Sequence, residues 1–333
     1  MEIERFRYDL PQEAIAQRPI EPRDAARLLD TRDLSDHRFA ELPSLLLPGD
    51  LVVVNDTRVR RARLHGRRVG TGGNVELLLL SRQADGRWET LISPARRIRP
   101  GVDIQIGPVV ATVVSGPDDG KVMVTFDDET PLETIGDVPL PPYITANLDD
   151  PERYQTVYAR QVGSSAAPTA GLHFTGRVFD ALNEAGIAVA NVELRVGLGT
   201  FRPITSPSVT DHVMHREWCR VPPETAAAIK TTRQAGGRVV AIGTTTVRTL
   251  ETFADGAGSV SSGETETDLY ITPGYQFTAV DLLVTNFHVP GSSLLVMLAA
   301  FTGEGWRTAY QAALERGYRF LSFGDAMLCE RSA

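Results

Sequence analysis

A change of rhythm along the chain limits its architecture more than any single motif does. Between residues 58 and 140, short Val-, Leu- and Ile-rich runs alternate with turn signals, and no long helical pattern appears. Asn74–Ser81, Trp88–Ile92, Val102–Ile106, Val109–Val114 and Val122–Phe126 read as strands. Asp85-Gly86 and Asp119-Gly120 read as hairpin turns, where glycine accepts a positive φ. Five or more short strands within about 80 residues point to a small barrel or sandwich. The segment VPLPPYI (138–144) marks the far boundary, because each proline fixes φ and stiffens the chain.

Beyond that boundary the order becomes strand, loop, helix. Thr175 is expected to cap a helix to about Ala185, with Val178, Phe179 and Leu182 on one face and Gly186 ending it. Ile187–Val196 reads as a strand, and Pro223 opens a helix that Gly236-Gly237 terminates. Arg238–Ile242 is a buried strand feeding GTTT and a helix from about Thr246. Asp281–Thr285 leads through NFHVPGSS to an apolar helix from about Ser293. Trp306–Arg316 reads as a last helix and Arg319–Phe323 as a last strand. The expected fold class is therefore α/β, an α/β sheet domain with an inserted small β-barrel domain. The sheet domain is assigned residues 1–57, with the strand Asp50–Val54, plus 141–333; the barrel is assigned 58–140.

With 42% hydrophobic and 23% charged residues, the 333-residue chain has a soluble globular composition. No apolar run approaches the roughly 20 residues that span a bilayer, so no membrane partner is expected. The start, MEIERFRYDLPQEA, is too charged for a signal peptide, and a cytoplasmic location follows. Cys219 and Cys329 form no disulfide framework and no Cys-x-x-Cys zinc pair.

A net charge of −8 argues against coating nucleic acid through bulk positive charge. The distribution differs: RVRRARLHGRR (58–68) holds six arginines, and Arg96, Arg97 and Arg99 form a second cluster. The first cluster fits a solvated strand face or a phosphate-contacting patch equally well, since arginine forks match phosphate oxygens.

Four of the six histidines lie in polar loops of the second half: His173 in APTAGLHFT, His212 and His215 in DHVMHREW, and His288 in TNFHVPGSS. Imidazoles on loops are well placed to exchange protons near neutral pH. Asp211 and Glu217 flank the His212-x-x-His215 pair and are expected to orient its rings; the spacing matches no zinc site, so no metal is assigned. GTTTVRTLE (243–251) follows a strand and opens a helix, which suits an anion or, more simply, threonine capping. It lacks the lysine of a P-loop, and Gly197-Leu-Gly199 fails as a dinucleotide fingerprint because Arg202 replaces the third glycine.

In combination the segments are far more specific. YDLPQEAIAQRP (8–19), RDAARLL (23–29), NDTRV (55–59), LPPYI (140–144), YQTVYA (154–159) and AAPTAGLHFT (166–175) occur in that order. VGLGTFRPI (196–204), DHVMHREW (211–218), AIGTTTVRTLE (241–251), YITPGYQF (270–277), LVTNFHVPGSSLL (283–295) and YRFLSFGDAML (318–328) continue it. On these motifs the chain resembles the S-adenosylmethionine:tRNA ribosyltransferase-isomerase family of queuosine biosynthesis over essentially its whole length. It departs at Arg195, where the family usually has histidine.

The resemblance implies transfer of the ribosyl part of S-adenosylmethionine to 7-aminomethyl-7-deazaguanine at the wobble position of a tRNA. Isomerisation then gives epoxyqueuosine-tRNA, with release of adenine and methionine. No cofactor is implied beyond S-adenosylmethionine as substrate, whose sulfonium acidifies the adjacent C5′ protons. Proton transfer is assigned to His173, His212 or His215, with Asp211 or Glu217 setting their state. Thr169, Gly171, Thr244, Thr245, Arg248, Asn286, His288 and Ser292 are assigned to substrate binding. Within that set, Thr244, Thr245 and Arg248 would hold the methionine carboxylate, and Asn286, His288 and Ser292 would bound the ribose or purine. Arg58, Arg60, Arg61 and Arg63 would meet tRNA phosphates. The chain is expected to act as a monomer. Two other readings stand beside this one: a paralogue using S-adenosylmethionine with another amine acceptor, and a non-catalytic RNA-binding protein on the same scaffold.

Overall fold

The computed structural model describes residues 1–118, 120–197 and 204–332. Asp119 of the expected second hairpin turn, and Gly199 and Arg202 of the glycine-rich loop, lie outside the described residues. Two compact units emerge, Met1–Arg58 with Pro141–Ala333, and Val59–Leu140.

In the smaller unit, six strands close into a barrel. Lys121–Phe126 pairs with Trp88–Ser93, which pairs with Asn74–Arg82, then Arg63–Arg68, Asp103–Ile106 and Val109–Asp118, which returns to Lys121–Phe126. All of these barrel pairings are antiparallel. Period-two alternation sends Leu64, Val75, Leu77, Trp88, Ile104 and Val124 inward. Arg63, His65 and Arg67 point the other way, so this part of the arginine run is a strand face. Gly66 is required there, because a Cβ would strike the Ile104 side chain and the Gln105 carbonyl.

The larger unit is built on a nine-stranded sheet. Its strands are β1 (Arg27–Asp30), β2 (Ser35–Arg38), β3 (Leu51–Asn55), β4 (Ala188–Leu194), β5 (Glu217–Val221), β6 (Val239–Ile242), β7 (Gly263–Thr267), β8 (Leu282–Asn286) and β9 (Ala326–Glu330). They lie in the order β7-β5-β4-β3-β6-β8-β9-β1-β2. The centre, β4-β3-β6-β8, is parallel, whereas β9 runs antiparallel to β8 and parallel to β1. Every residue of β3, β6 and β8 is buried. That explains their near-continuous apolar runs, expected of strands covered on both faces.

Alternate side chains of these strands feed two cores. On one face Val52, Val54, Val240, Ile242 and Val284 meet Val178 and Leu182 of helix α1 (Gly176–Glu184). On the other, Leu51, Val53, Val239, Ala241 and Leu283 meet α2 (Pro223–Gln234), α3 (Thr244–Thr252), α4 (Ser293–Thr302) and α5 (Gly305–Glu315) through Ile229, Val247, Leu250, Val296 and Ala309. Among the described residues no helix is long and apolar enough to cross a membrane.

Three local expectations are corrected. Thr175 occupies the N-cap of α1 but does not cap it; its hydroxyl donates to Asp24 Oδ2 at 2.6 Å. Helix α3 starts at Thr244 rather than Thr246, with Gly243 at φ +84 as its N-cap and no threonine in that role. Arg319–Phe323 is not a strand: Leu321 sits at φ +68, which breaks an extended run, and the last strand is β9. Both cysteines are buried in the sheet, and burial pushes the thiols up, Cys219 to about 11 and Cys329 to about 12.

Candidate active site

Parallel strands β3, β6 and β8 all end on the same side of the sheet, at Asn55, Ile242 and Asn286. Ligands of open α/β sheets sit in the crevice outside such carboxyl ends. A pocket opens there, lined by Thr169, Gly243, Thr244, Thr245, Thr285, Asn286, His288 and Ser292, with Tyr143, Val289, Leu321 and Ser322 among the rest of its wall.

Gly243 donates its N–H to Val284 O at 2.7 Å and turns the chain into α3 without a side-chain cap. The positive end of the helix dipole therefore faces the pocket floor beside Thr244 and Thr245. Thr246 donates back to Ile242 O at 2.7 Å, and Asn55 Nδ2 donates to Thr245 Oγ1 at 3.3 Å. Asn286 is clamped, accepting from Thr169 Oγ1 at 2.8 Å and donating to Asp325 O at 3.3 Å.

His288 is the one of the four loop histidines in this pocket wall. Its Nε2 shares a hydrogen bond with Thr285 Oγ1 at 3.1 Å, and its backbone is held at both ends by Tyr310 and Tyr8 hydroxyls at 2.7 and 2.6 Å. Burial pushes this imidazole down to about 3, so it stays neutral. Ser292 lines the pocket but its hydroxyl also caps α4, accepting from Leu295 N at 3.3 Å and donating to Val289 O at 2.7 Å.

Thr244, Thr245 and Leu294 also line an adjoining, more apolar recess with Met214, Leu269, Tyr270 and Met297. The Tyr270 hydroxyl has no hydrogen-bond partner among the described residues. At the recess margin lies a buried ion pair, Arg248 with Glu217.

That pair changes several assignments. Arg248 is engaged within the fold: besides Glu217, its donors reach Leu269 O at 3.0 Å, Thr267 O at 2.9 Å and His215 O at 3.1 Å. Glu217 is held by Arg248 and by Gly197 N at 2.6 Å, which turns it away from an imidazole-orienting role. Asp211 is exposed and at 3.5 Å from Thr210 Oγ1, not against a histidine. His212 packs edge-on to Tyr270, and burial followed by the nearby His215 lowers its pKa; His215 itself is exposed.

His173 stands outside this pocket wall. It is buried, stacked on Phe39, with Nδ1 3.1 Å from Ala170 O and Nε2 2.9 Å from Gly324 O. Burial lowers its pKa, and the ring ties two loops together. Gly171 is also a packing position, since a Cβ there would overlap the Tyr158 hydroxyl. Arg195 lies with its guanidinium 4.1 Å over the Trp218 ring.

Just beyond β3, the Oδ1 of Asp56 is buried without a hydrogen-bond partner among the described residues. Burial, reinforced by Glu193, pushes this carboxyl up from 3.8 to about 6. A carboxyl raised on folding contributes stability below its unfolded value of about 4, and that contribution is lost as pH rises through about 6. Asp56→Asn should therefore gain in melting temperature on the unsubstituted protein between pH 5 and 7.5. Parallel melting curves across that range would remove Asp56 as the source.

The four arginines assigned to tRNA are largely engaged within their own units. Arg58 pairs with Glu152 at 2.5 Å. Arg60 lies 3.3 Å from Glu133 and 4.9 Å over the Trp88 ring, Arg63 lies 3.7 Å from Glu76, and Arg61 donates to Thr134 O at 3.5 Å.

The sequence pattern of the family described as "Queuosine biosynthesis protein" matches residues 3–329. The chain belongs to this family. It is 52% identical, over 98% of its own length and 99% of the relative's, to an S-adenosylmethionine:tRNA ribosyltransferase-isomerase of Symbiobacterium thermophilum. A protein of the same name from Moorella thermoacetica is 51% identical over 98% and 99%. The crystal structure of an S-adenosylmethionine tRNA ribosyltransferase from Thermotoga maritima is similar at a TM-score of 0.55 and 36% identity, covering 97% of this chain and 99% of that one.

The family segments also contain pocket residues that no chemical argument from sequence singled out. Tyr143 of LPPYI shares a 2.7 Å hydrogen bond with Ser322 of YRFLSFGDAML, and both line the pocket. Asn55 of NDTRV and Tyr270 of YITPGYQF belong to the same surroundings. A search for uncharged polar residues inside those segments would have found them.

Proposed function

We propose that this chain transfers and isomerises the ribosyl moiety of S-adenosylmethionine onto 7-aminomethyl-7-deazaguanine at the wobble position of tRNA. Adenine and methionine leave, and epoxyqueuosine-tRNA forms. The observation that carries this reading is full-length relatedness at 52% identity to a protein named for that activity. The pocket at the carboxyl ends of β3, β6 and β8 supplies chemistry to match. Thr169, Asn286, His288 and the hydroxyls of Thr244 and Thr245 offer uncharged hydrogen-bonding groups for a ribose and a purine. The recess walled by Met214, Leu269 and Met297 suits the S-methyl and methylene groups that flank the sulfonium of the methionyl arm. Proton transfer falls to the mobile-proton candidates nearest the recess, His212 and His215, whose loop also contributes Met214. The sulfonium supplies its own acidification of C5′, so the residues need only hold, orient and exchange a proton. The same reading takes the enzyme to be a cytoplasmic monomer acting on tRNA.

The test is incubation with S-adenosylmethionine and tRNA carrying the deazaguanine base, followed by nucleoside mass spectrometry. Epoxyqueuosine with equimolar adenine is the expected product. Adenine release only with another amine acceptor would make the chain a paralogue of different specificity. Binding of tRNA without adenine release would make it a non-catalytic RNA-binding protein.

A further inference from the structure

We infer that the tRNA sugar–phosphate backbone docks on an arginine-rimmed groove at one end of the barrel, formed by Arg67, Arg68 and the turn carrying Arg96, Arg97 and Arg99. This rests on the reading that tRNA is a substrate. It moves the electrostatic contact away from Arg58, Arg60, Arg61 and Arg63.

Arg67 and Arg68 line an open groove with Asn74, Ser93, Pro94 and Gln105. Strand register explains why these meet. Arg67 pairs across to Asn74 on one side and Gln105 on the other, while Glu76 pairs with Ser93, so four strand ends share one end of the barrel. From Ser93 the chain runs through Pro94 into the turn that holds the second arginine cluster. Ile98 is buried in the barrel core, which fixes the turn, and Arg96, Arg97 and Arg99 on either side of it are exposed. Two clusters separated in sequence thus reach the same rim.

Among the described residues, the charges on this rim are free of ion pairs in a way that the other basic residues of this unit, Arg61 apart, are not. Among the described residues, Arg67, Arg68, Arg96, Arg97 and Arg99 make no ion pair, whereas Arg60, Arg63, Arg82, Arg87 and Lys121 of the same unit each do. Glu76 lies in the groove wall but is already shared by Arg63 and His65. Asp103, beside Val69, accepts from Thr112 Oγ1 at 2.7 Å. Gly73 leaves room for the Arg68 guanidinium, since a Cβ there would come within 2.6 Å of its Nη2. In a chain of net charge −8, a polyanion needs such a local surface. Unpaired, planar guanidinium groups along an open groove suit successive phosphates better than a single small anion.

The test uses the full chain with Arg67→Ala, Arg96→Ala and Arg97→Ala combined. Binding of the substrate tRNA is followed as a function of salt, alongside KM for tRNA and for S-adenosylmethionine. Three lost phosphate contacts should make the log–log salt slope shallower by about 2 to 3 and weaken tRNA binding at least about tenfold at low salt. KM for S-adenosylmethionine should not move. Arg82→Ala with Arg87→Ala, which removes exposed but ion-paired barrel arginines, should leave the slope in place. If the triple variant does not fold, Arg67→Gln alone should still reduce the slope by about 1. An unaltered slope in the rim variants, or an equal loss in the paired-arginine control, would overturn the groove while leaving tRNA as substrate. Failure of the unsubstituted protein to bind or consume tRNA would overturn the functional reading and the groove with it.

Discussion

Arg248→Met is expected to destabilise the α/β unit by about 3–5 kcal/mol, the cost of breaking a buried ion pair from one side. Both partners are more than nine-tenths buried, at 8% and 5% side-chain exposure. Removing the guanidinium leaves the Glu217 carboxylate without its cation and deprives the carbonyls of His215, Thr267 and Leu269 of their donor. These carbonyls belong to segments around β5 and β7, so the loss falls on the strands that frame the recess. Replacing both members, Arg248→Met with Glu217→Leu, should recover much of the loss, because a well-packed apolar pair avoids the desolvation penalty. Urea unfolding of the single and double variants measures this. A cost below about 1 kcal/mol for Arg248→Met would mean that water reaches the pair in solution.

The second large effect is on turnover. His288→Ala should lower adenine release about 10²-fold while leaving the unfolding midpoint high enough for a folded enzyme at assay temperature, the magnitude expected for loss of one preorganised hydrogen-bonding group. The imidazole is neutral, with its Nε2 engaged by Thr285, so its contribution is a fixed hydrogen bond and not a titrating base. It follows that His288→Asn, whose amide can replace a ring nitrogen as donor or acceptor, should restore part of the rate. The shape of the kcat profile between pH 5 and 8 should be the same with histidine or asparagine at this position. Turnover within a few-fold of normal in His288→Ala would place the reacting ribose elsewhere. A shift of the pH profile in His288→Asn would make this histidine a proton carrier after all.

What could be read from the chain depended on how local the cause was. The barrel strands and β3, β6 and β8 were legible because burial on one or both faces writes itself directly into apolar alternation or apolar runs. Ser35–Arg38 and Gly263–Thr267 were not, since these strands, SDHR and GETET, are the two edges of the nine-stranded sheet. Edge strands carry charge where central ones carry valine, and their composition then resembles a loop. The pocket side of His288, Asn286 and Thr244 followed from strand-to-helix junctions, which are local features. The pairing of Arg248 was not legible because its partner Glu217 lies 31 residues away, and nothing in GTTTVR reveals a carboxylate waiting across the fold. The hold on the His173 ring was not legible for the same reason: the carbonyl of Gly324 that meets it is 151 residues distant.

The position of β9 has a consequence for how the chain is made. Residues Leu28, Leu29 and Asp30 of β1 pair with Ala326, Met327 and Leu328, and β8 pairs with the same strand on its other side. During synthesis, β1 and β8 must therefore wait, each with one edge unpaired, until the last strand of the sheet leaves the ribosome. For β8, whose sequence is LLVTN, that is an apolar edge open to other nascent chains. Closing a loop of nearly 300 residues between β1 and β9 costs little more entropy than closing one half as long, because the penalty grows only logarithmically. The hazard lies in the waiting time, and a holding chaperone that covers β8 would protect the sheet on which the pocket is built.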